Sequence, residues 1–304
     1  LSKFKNFDVI SFQAEDEIAG ICSAIGASFA GNLAVTSTSG PGLALKGEAI
    51  GLAMMTELPI VIIDVQRGGP STGLPTKTEQ SDLMQAVYGR NGESPVIVIA
   101  ASTPSNCFDF AYLAAKLALE HMTPVILLTD GFIANGAEPW KIKNVEELPA
   151  IQPNFVKDTE NWKPYNRDAQ RLARKWAIPG MEGFEHRIGG LEKQDESGNV
   201  SYEPENHEKM VKLRQEKVNR VAQFIPELEV KGAQEGDLLI VGWGGTYGSI
   251  LTAFTELTKS NNKVGFAHFN YINPLPKNTE EVFEKYKTIL VCELNLGQFS
   301  RLLK

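Results

Sequence analysis

Ten residues in the first third of the chain combine a cation, hydroxyl groups and a constrained backbone. Residues 67–76 have the sequence Arg67-Gly-Gly-Pro-Ser-Thr-Gly-Leu-Pro-Thr76 and follow an apolar strand pattern. A guanidinium can bind a carboxylate through two parallel hydrogen bonds, and glycine and proline shape a loop with free backbone N–H groups. The segment predicts a carboxylate-binding site, although any strand-to-helix connection can be rich in glycine and proline.

Three acidic residues, Glu15, Asp16 and Glu17, precede a helix pattern that has no charged residue from 18 to 31. A helix that is apolar on every side is normally buried, so we expect at least one of these carboxylates to enter a dry environment. Acidic residues also favour helix N-termini through the macrodipole, which is the simpler explanation. Periodicity does not choose among the three.

Two further glycine-rich segments follow strand patterns. Residues 36–42 (Thr-Ser-Thr-Ser-Gly-Pro-Gly) form a hydroxyl-rich strand end whose N–H groups suit an anion or a polar ring, and a tight packing turn is an equal alternative. Residues 242–249 resemble a dinucleotide loop. The next strand, 264–270, has no acidic residue to hold a ribose, which argues against a nicotinamide cofactor.

Composition narrows the function classes. The chain has 304 residues, which is long enough for two domains, and 42% of them are hydrophobic. Its net charge is −7 and it has no Lys/Arg-rich run, so no nucleic-acid partner is expected. No apolar run is long enough to span a membrane, and we predict a cytoplasmic protein. Cys22, Cys107 and Cys292 are far apart in sequence, so no metal or iron–sulfur site is expected on this chain.

Alternating strand and helix patterns fill the first 130 residues. Three strand patterns, 60–65, 96–100 and 125–128, are continuous apolar runs, typical of parallel strands covered on both faces. The predicted fold class is therefore doubly wound α/β. Predicted strands cover 8–13, 33–37, 59–66, 95–100 and 124–129, and predicted helices cover 16–31, 43–57, 81–88 and 105–121.

The rest of the chain divides into an irregular part and a second α/β unit. Residues 135–206 lack a sustained period and are interpreted as a linker lying on other surfaces, and 205–224 as an amphipathic helix. The predicted domains are 1–134, 135–232 and 233–304. Both ends are expected to be cut, because the sequence starts at Leu1 without the opening strand that such a domain normally has, and a helix is only beginning at Gln298. The second unit has predicted strands at 237–242, 263–269 and 288–293 and helices at 247–258 and 279–286.

Five segments, taken in order, resemble the alpha subunit of 2-oxoacid:ferredoxin oxidoreductases, closest to the 2-oxoglutarate type. They are residues 13–20, 38–42, 66–76, 273–276 and 292–298. Each segment alone is a weak signal, but their combination is specific and covers nearly the whole chain. The resemblance implies a pyrimidine-binding thiamine diphosphate domain with a doubly wound parallel sheet, followed by a smaller transketolase C-terminal-like α/β domain.

The resemblance also assigns roles to residues. Thiamine diphosphate would lie between this subunit and a beta subunit, with Glu17 activating its aminopyrimidine ring. Arg67 and Thr76 would hold the 2-oxoacid carboxylate. The family's Tyr-Pro-Ile-Thr-Pro segment, which supplies another substrate-contacting threonine, is absent from this sequence. The remaining residues expected to contact the cofactor are Ser39, Gly40, Pro41 and Gly42.

Part of the expected machinery has no counterpart in this sequence. Thiamine enzymes hold the diphosphate through a metal bound by a Gly-Asp-Gly loop and a later asparagine, and this sequence has no Gly-Asp-Gly. Its nearest approach, Thr129-Asp-Gly131, is interpreted as a strand-end turn. Mg²⁺ and the iron–sulfur cluster are therefore expected on the beta subunit.

The implied activity is oxidative decarboxylation of 2-oxoglutarate with coenzyme A, giving succinyl-CoA and CO₂, with the electrons passing to ferredoxin. Arg90 or another cation would then meet the second carboxylate of this substrate. Two alternatives stay open: pyruvate or a branched-chain 2-oxoacid as the substrate, and a non-catalytic ligand-binding α/β scaffold.

Overall fold

The computed structural model describes residues 7–260 and 263–304, and it is an α/β structure with two sheets. The strands are β1 (Ala34–Thr38), β2 (Ile60–Gln66), β3 (Ile97–Ala100), β4 (Pro124–Asp130), β5 (Val230–Gly232), β6 (Gly236–Trp243), β7 (Val264–Phe269), β8 (Tyr271–Asn273) and β9 (Tyr286–Cys292). The helices are α1 (Glu17–Phe29), α2 (Gly40–Leu45), α3 (Gly47–Met55), α4 (Leu83–Tyr88), α5 (Cys107–His121), α6 (Gly131–Asn135), α7 (Pro204–Asn219), α8 (Tyr247–Leu257), α9 (Thr279–Glu284) and α10 (Gln298–Leu302).

The first sheet has the strand order β1-β2-β4-β3-β8, with β8 antiparallel to β3 and the other pairs parallel. The second has the order β5-β7-β6-β9, with β6 parallel to both of its neighbours. Because β8 comes from the C-terminal part of the chain, this part extends the first sheet as well as forming the second. The predicted domain boundaries themselves stay predictions.

Alternate residues of β2 pack on opposite faces of the first sheet. Ile60 and Ile62 belong to one buried cluster, which includes Ile21 of α1. Val61 belongs to another, which includes Leu117 of α5. A strand buried on both faces is what the continuous apolar run predicted, so the doubly wound α/β class is confirmed.

Two element predictions are wrong. Residues 8–13 form no strand; Ile10 and Phe12 are 93% and 71% exposed, and no described strand pairs with this segment. An unpaired segment leaves its backbone groups to water and gains no ladder. The single helix predicted over 43–57 is two helices, α2 and α3, which meet at Lys46, and α2 begins earlier, with Pro41 in its first turn.

Helix α1 is buried on one face only. Ile21, Ala24 and Ser28 point into the protein, whereas Ile18 is 48% and Phe29 37% exposed. The expectation of burial on every side is therefore wrong for the described chain. The uncharged outer face of α1 is not covered by the described residues.

Residues 136–203, called the strap below, lack regular strands and α-helices in the structure, as predicted. A buried ion cluster fastens the strap: Arg167 Nε lies 3.0 Å from Glu57 Oε1, and Lys217 of α7 contacts the same carboxylate. Burial alone would raise the pKa of Glu57, but Lys217 and Arg167 overcome it and lower the pKa to about 2. The strap is thus a packed part of the fold.

Candidate functional site

The turn Ser39–Gly42 lies between two carboxyl side chains. A Cβ on Gly42 would lie 2.7 Å from Cγ of Glu17, and a Cβ on Gly40 would lie 2.3 Å from Oδ1 of Asp82. Such distances are shorter than real Cβ contacts, so glycine is required at both positions for this packing. The alternative of a tight turn therefore holds, and the turn also presents its backbone to two acidic groups.

Of the three acidic residues at 15–17, Glu17 contacts this turn, while Asp16 caps the helix. Asp16 is the N-cap of α1, and its Oδ1 accepts a hydrogen bond from Ala19 N at 2.7 Å. Glu17 directs its exposed side chain toward Gly42. The structure thus gives Asp16 and Glu17 different contacts, whereas the sequence periodicity did not distinguish them. The dry environment expected for these carboxylates is not provided by the described residues of this chain.

Lys46 anchors the start of α1 through a hydrogen bond to its first residue. Its side chain is buried, and Nζ donates a hydrogen bond to the backbone oxygen of Glu17 at 2.7 Å. Burial lowers the pKa of Lys46, and the neighbouring Glu17 and Asp16 oppose that shift. Because the cation holds the main chain of Glu17, the side chain stays available for a ligand. The sequence pattern gave no sign of this contact.

The Arg67 loop is closed by its own backbone. Gly68 N donates to Lys77 O at 2.9 Å, and Leu74 N donates to Gly68 O at 2.7 Å. Gly73 has a φ of 54°, and a Cβ there would lie 2.0 Å from Gly68 O. Only glycine fits this approach. The constrained loop predicted from the sequence is confirmed.

Arg67 lines a cavity of about 810 Å³ together with Gly40, Pro41 and Asp82. Its Nε is buried and has no hydrogen-bond partner among the described residues. An unpaired buried donor is costly, so an acceptor entering the cavity would be favoured. Thr76, by contrast, is exposed on the returning arm of the loop and does not line this cavity.

The C-terminal part also lines this cavity, through Leu294, Asn295, Leu296 and Gln298. Gln80 N donates to Leu294 O at 3.1 Å, and Leu294 N donates to Gln80 Oε1 at the same distance. Asn295 Nδ2 also donates to Gln80 O at 2.8 Å. The motif at 292–298 therefore holds the segment that continues the Arg67 loop.

Asp82, which the sequence reading missed, stands at the N-cap of α4 without capping it. Burial and Glu79 raise the pKa of Asp82, Arg67 opposes them, and the result is about 6. Asp64 of β2 is fully buried, and neither of its oxygens has a partner among the described residues. Burial, with Asp82 nearby, raises the pKa of Asp64 well above its usual value.

The glycine-rich segment at 242–249 packs against the protein. A Cβ on Gly245 would lie 2.1 Å from Asp130 Oδ2, and one on Gly244 would lie 2.8 Å from Gln80 Nε2. Asp130 ends β4 and caps α6 by accepting from Phe132 N at 2.9 Å, which agrees with a strand-end turn. Both segments serve the contact between the two sheets.

Arg90 does not face the Arg67 cavity. Its guanidinium donates to the backbone oxygens of Ala86, Val87 and Ser94 at 2.8, 2.6 and 3.0 Å. Burial lowers the pKa of Arg90 to about 10. Its donors already hold the end of α4, so the structure gives no support for Arg90 as the partner of a second carboxylate.

The described residues form neither a metal site nor a membrane-spanning helix. Within residues 7–260 and 263–304, no three His, Cys, Asp or Glu side chains are placed to hold a metal ion. Over the same ranges, no helix combines the length and the apolar character needed to cross a membrane.

Comparison with known proteins places the chain in a family. The model of the family "Pyruvate flavodoxin/ferredoxin oxidoreductase, thiamine diP-bdg" matches residues 2–206. The 2-oxoglutarate oxidoreductase subunit KorA of Mycobacterium tuberculosis is 55% identical, over 100% of this chain and 46% of that protein. The 2-oxoglutarate synthase subunit KorA of Methanothermobacter marburgensis is 33% identical, over 94% of this chain and 76% of that protein.

A solved structure is similar over almost the whole chain. The 2-oxoglutarate:ferredoxin oxidoreductase from Magnetococcus marinus, with 2-oxoglutarate, coenzyme A and succinyl-CoA bound, superimposes with a TM-score of 0.89 at 38% identity. The match covers 96% of this chain and 51% of that one, so the present chain spans about half the length of several of its relatives. The chain belongs to the family of 2-oxoacid:ferredoxin oxidoreductase alpha subunits.

Proposed function

We propose that this chain is the alpha subunit of a cytoplasmic, thiamine diphosphate-dependent 2-oxoglutarate:ferredoxin oxidoreductase. The reaction converts 2-oxoglutarate and coenzyme A to succinyl-CoA and CO₂ and passes the electrons to ferredoxin. One observation carries the proposal: the turn at 39–42 contacts Glu17 on one side and lines the cavity of Arg67 on the other. A cofactor-activating acid and a carboxylate-binding cation thus flank one turn.

The chain's residues fit the ring end of thiamine diphosphate. Glu17 is exposed next to Gly42, whose missing side chain leaves room for the side chains of Thr38 and Glu17. Glu17 would exchange a proton with a ring nitrogen, and Ser39, Gly40, Pro41 and Gly42 would contact the ring. When bound, the cofactor supplies the nucleophilic carbon and the electron sink for decarboxylation.

Arg67 would orient the substrate. Its planar guanidinium can pair with the C1 carboxylate of a 2-oxoacid through two hydrogen bonds, and its buried, unpaired Nε favours such an acceptor. Thr76 remains part of the proposal as a second contact, which requires the exposed arm of the loop to meet the substrate in the assembled enzyme.

A beta subunit would complete the site. The sequence has no Gly-Asp-Gly loop for the diphosphate and no clustered cysteines for an iron–sulfur centre, so Mg²⁺ and the cluster are assigned to that partner. The uncovered outer face of α1, with Ile18 and Phe29 partly exposed, is suited to burial in such an assembly. Covering this face would also dry the surroundings of Glu17.

Reconstitution tests this proposal. The chain should be purified with its beta subunit, and 2-oxoglutarate-dependent ferredoxin reduction and succinyl-CoA formation should be measured, with pyruvate and 2-oxoisovalerate as competing substrates. We expect activity only with both subunits, and the highest kcat/KM with 2-oxoglutarate. Preference for another 2-oxoacid would overturn the substrate assignment. Failure of the assembled complex to bind thiamine diphosphate would favour the non-catalytic scaffold.

A further inference from the structure

We propose that Asp82 is a positioning residue that acts as the resident counter-ion of Arg67 and takes up part of a proton from solvent when a substrate carboxylate binds there. This inference rests on the proposed function, because it concerns the same cavity. It adds a residue that the family resemblance did not assign, together with a linkage between substrate binding and pH.

The carboxyl group of Asp82 does not cap α4, because the side chain of Gln298 accepts the hydrogen bond from the first turn instead. An aspartate at a helix N-cap ordinarily accepts a hydrogen bond from a backbone N–H of the first turn. In α4, Asp82 makes no such bond, and Met84 N instead donates to Gln298 Oε1 at 2.9 Å. Gln298 is itself fixed, because its Nε2 donates to Ser81 O at 2.7 Å. The amide from the C-terminal part thus replaces the cap and releases the carboxyl group.

The released carboxyl group lies in the substrate cavity. Its Oδ1 lies at the surface of Gly40, where a Cβ would be only 2.3 Å away, and its Oδ2 is buried without a partner among the described residues. Arg67 lines the same cavity, and its Nε is likewise buried and unpaired among the described residues. Neither atom has a hydrogen-bond partner among the described residues, so the two charged groups are not neutralised by contacts within the fold.

The charged groups near Asp82 determine how its protonation changes when a substrate binds. Arg67, Glu79 and Asp82 are the charged side chains that line the cavity, and residues 294–298 contribute amides and leucines. Glu79 is held in place, since its Oε2 accepts from Gly69 N at 3.1 Å and from Ser81 Oγ at 2.8 Å. Asp64, which is buried nearby, has its pKa raised well above its ordinary value by burial and by the neighbouring Asp82.

Substrate binding should therefore be coupled to a proton. The pKa of Asp82 is raised to about 6, mainly by burial, so the carboxyl group is largely ionised at neutral pH. A substrate carboxylate beside Arg67 adds a negative charge near Asp82 and offsets the guanidinium that lowers its pKa. Asp82 then binds a proton more tightly with substrate than without, and the affinity for substrate falls as the pH rises above about 6.

Asp82→Asn tests this coupling in the assembled complex. The amide keeps the size of the side chain and removes the charge. We expect kcat/KM for 2-oxoglutarate, as a ratio of variant to wild type, to be near one at low pH, where Asp82 is protonated. The ratio should rise to the order of tenfold at alkaline pH, if bound substrate raises the pKa of Asp82 by about one unit. The gain should lie in KM, with kcat unchanged.

Asp109→Asn is the matched control, because it makes the same charge change on α5 in an ion pair with Lys143 outside the cavity. Its ratio should stay flat with pH. A flat ratio for Asp82→Asn, or a loss of kcat/KM at every pH, would overturn the inference. If the wild-type complex turned over no 2-oxoacid, the proposed function would fail first and the inference with it.

Calorimetry gives a readout that does not depend on turnover. Glutarate, which has the substrate's carboxylates and no reactive carbonyl, should be titrated into the complex near pH 7 in two buffers of different ionisation enthalpy. The wild type should take up a fraction of one proton, and Asp82→Asn should take up none. Equal heats in both buffers for the wild type would contradict the coupling.

Discussion

Glu17 and Gly42 are packed so closely that the glycine cannot carry a side chain. A Cβ on Gly42 would lie 2.7 Å from Cγ of Glu17 and 1.9 Å from Oγ1 of Thr38. The backbone of Glu17 is fixed separately, through the hydrogen bond from Lys46 Nζ. The position of the Glu17 carboxyl group is therefore set mainly by the turn, and a change at Gly42 should move it.

Gly42→Ala is expected to lower activity more than stability. The added methyl group must displace Thr38 and the side chain of Glu17, an overpacking cost of about 1 to 3 kcal/mol. Activity of the assembled complex should fall by more than tenfold, measured as ferredoxin reduction beside thermal unfolding. Gly248→Ala is the control, because a Cβ there would meet no atom within 4 Å. Equal effects of the two variants would contradict the role of the turn.

The regular parts of the fold were predictable because their signals are local. Strands such as β4, buried along its whole length, appear in the sequence as continuous apolar runs. The Arg67 loop was predictable for a similar reason, since its glycines and prolines serve hydrogen bonds within the loop itself. Both features depend on residues that are neighbours in the chain.

Contacts between distant residues were not predictable in this way. Gln298 accepts the hydrogen bond from Met84 N of α4 although it lies 214 positions further along the chain. Nothing near Asp82 in the sequence shows that another residue replaces it as the cap of this helix. The exposed face of α1 was misjudged because an apolar helix has the same pattern whether its own chain or another covers it. The fold class thus follows from local patterns, whereas the working of the site depends on long-range pairs.

Arg67→Lys is expected to weaken substrate binding in the complex. Lysine keeps the charge but offers one point of contact where the guanidinium offers two. The loss of a charged hydrogen bond corresponds to about 1.5 to 3 kcal/mol, or about a 10- to 100-fold increase in KM for the 2-oxoacid. Thiamine diphosphate binding, measured by titration, should not change. A KM at the wild-type value would show that Arg67 has a structural role.

Glu57→Gln is expected to loosen the strap. It leaves Arg167 and Lys217 buried without a counter-ion, a loss of about 3 to 5 kcal/mol in the free energy of unfolding. Denaturant titration and limited proteolysis within 136–203 would measure it. The control Glu208→Gln breaks an exposed pair with Lys212 and should cost less than about 1 kcal/mol.

The same cluster predicts an acid limit for stability. The folded pKa of Glu57, about 2, lies below its ordinary value of 4.5. Its contribution to stability is therefore complete above about pH 4.5 and is lost as the pH falls from there toward 2. Proteolysis of the strap in the wild type should increase over this interval. Glu57→Gln should not show this step, and a wild-type profile without it would contradict the assignment.

Glu17→Gln is expected to separate chemistry from assembly. Glutamine keeps the size of the side chain and its contact with Gly42, but it cannot exchange a proton with a ring nitrogen of the cofactor. The complex should form and bind thiamine diphosphate, while activity and the exchange of the cofactor's thiazolium proton with solvent, followed by NMR, fall by on the order of 10² or more. Glu15→Gln, an equivalent change two residues earlier at another exposed acid, should behave as wild type. Proton exchange at the wild-type rate in Glu17→Gln would rule out this role and leave the acidic residues before α1 as helix-terminus charges.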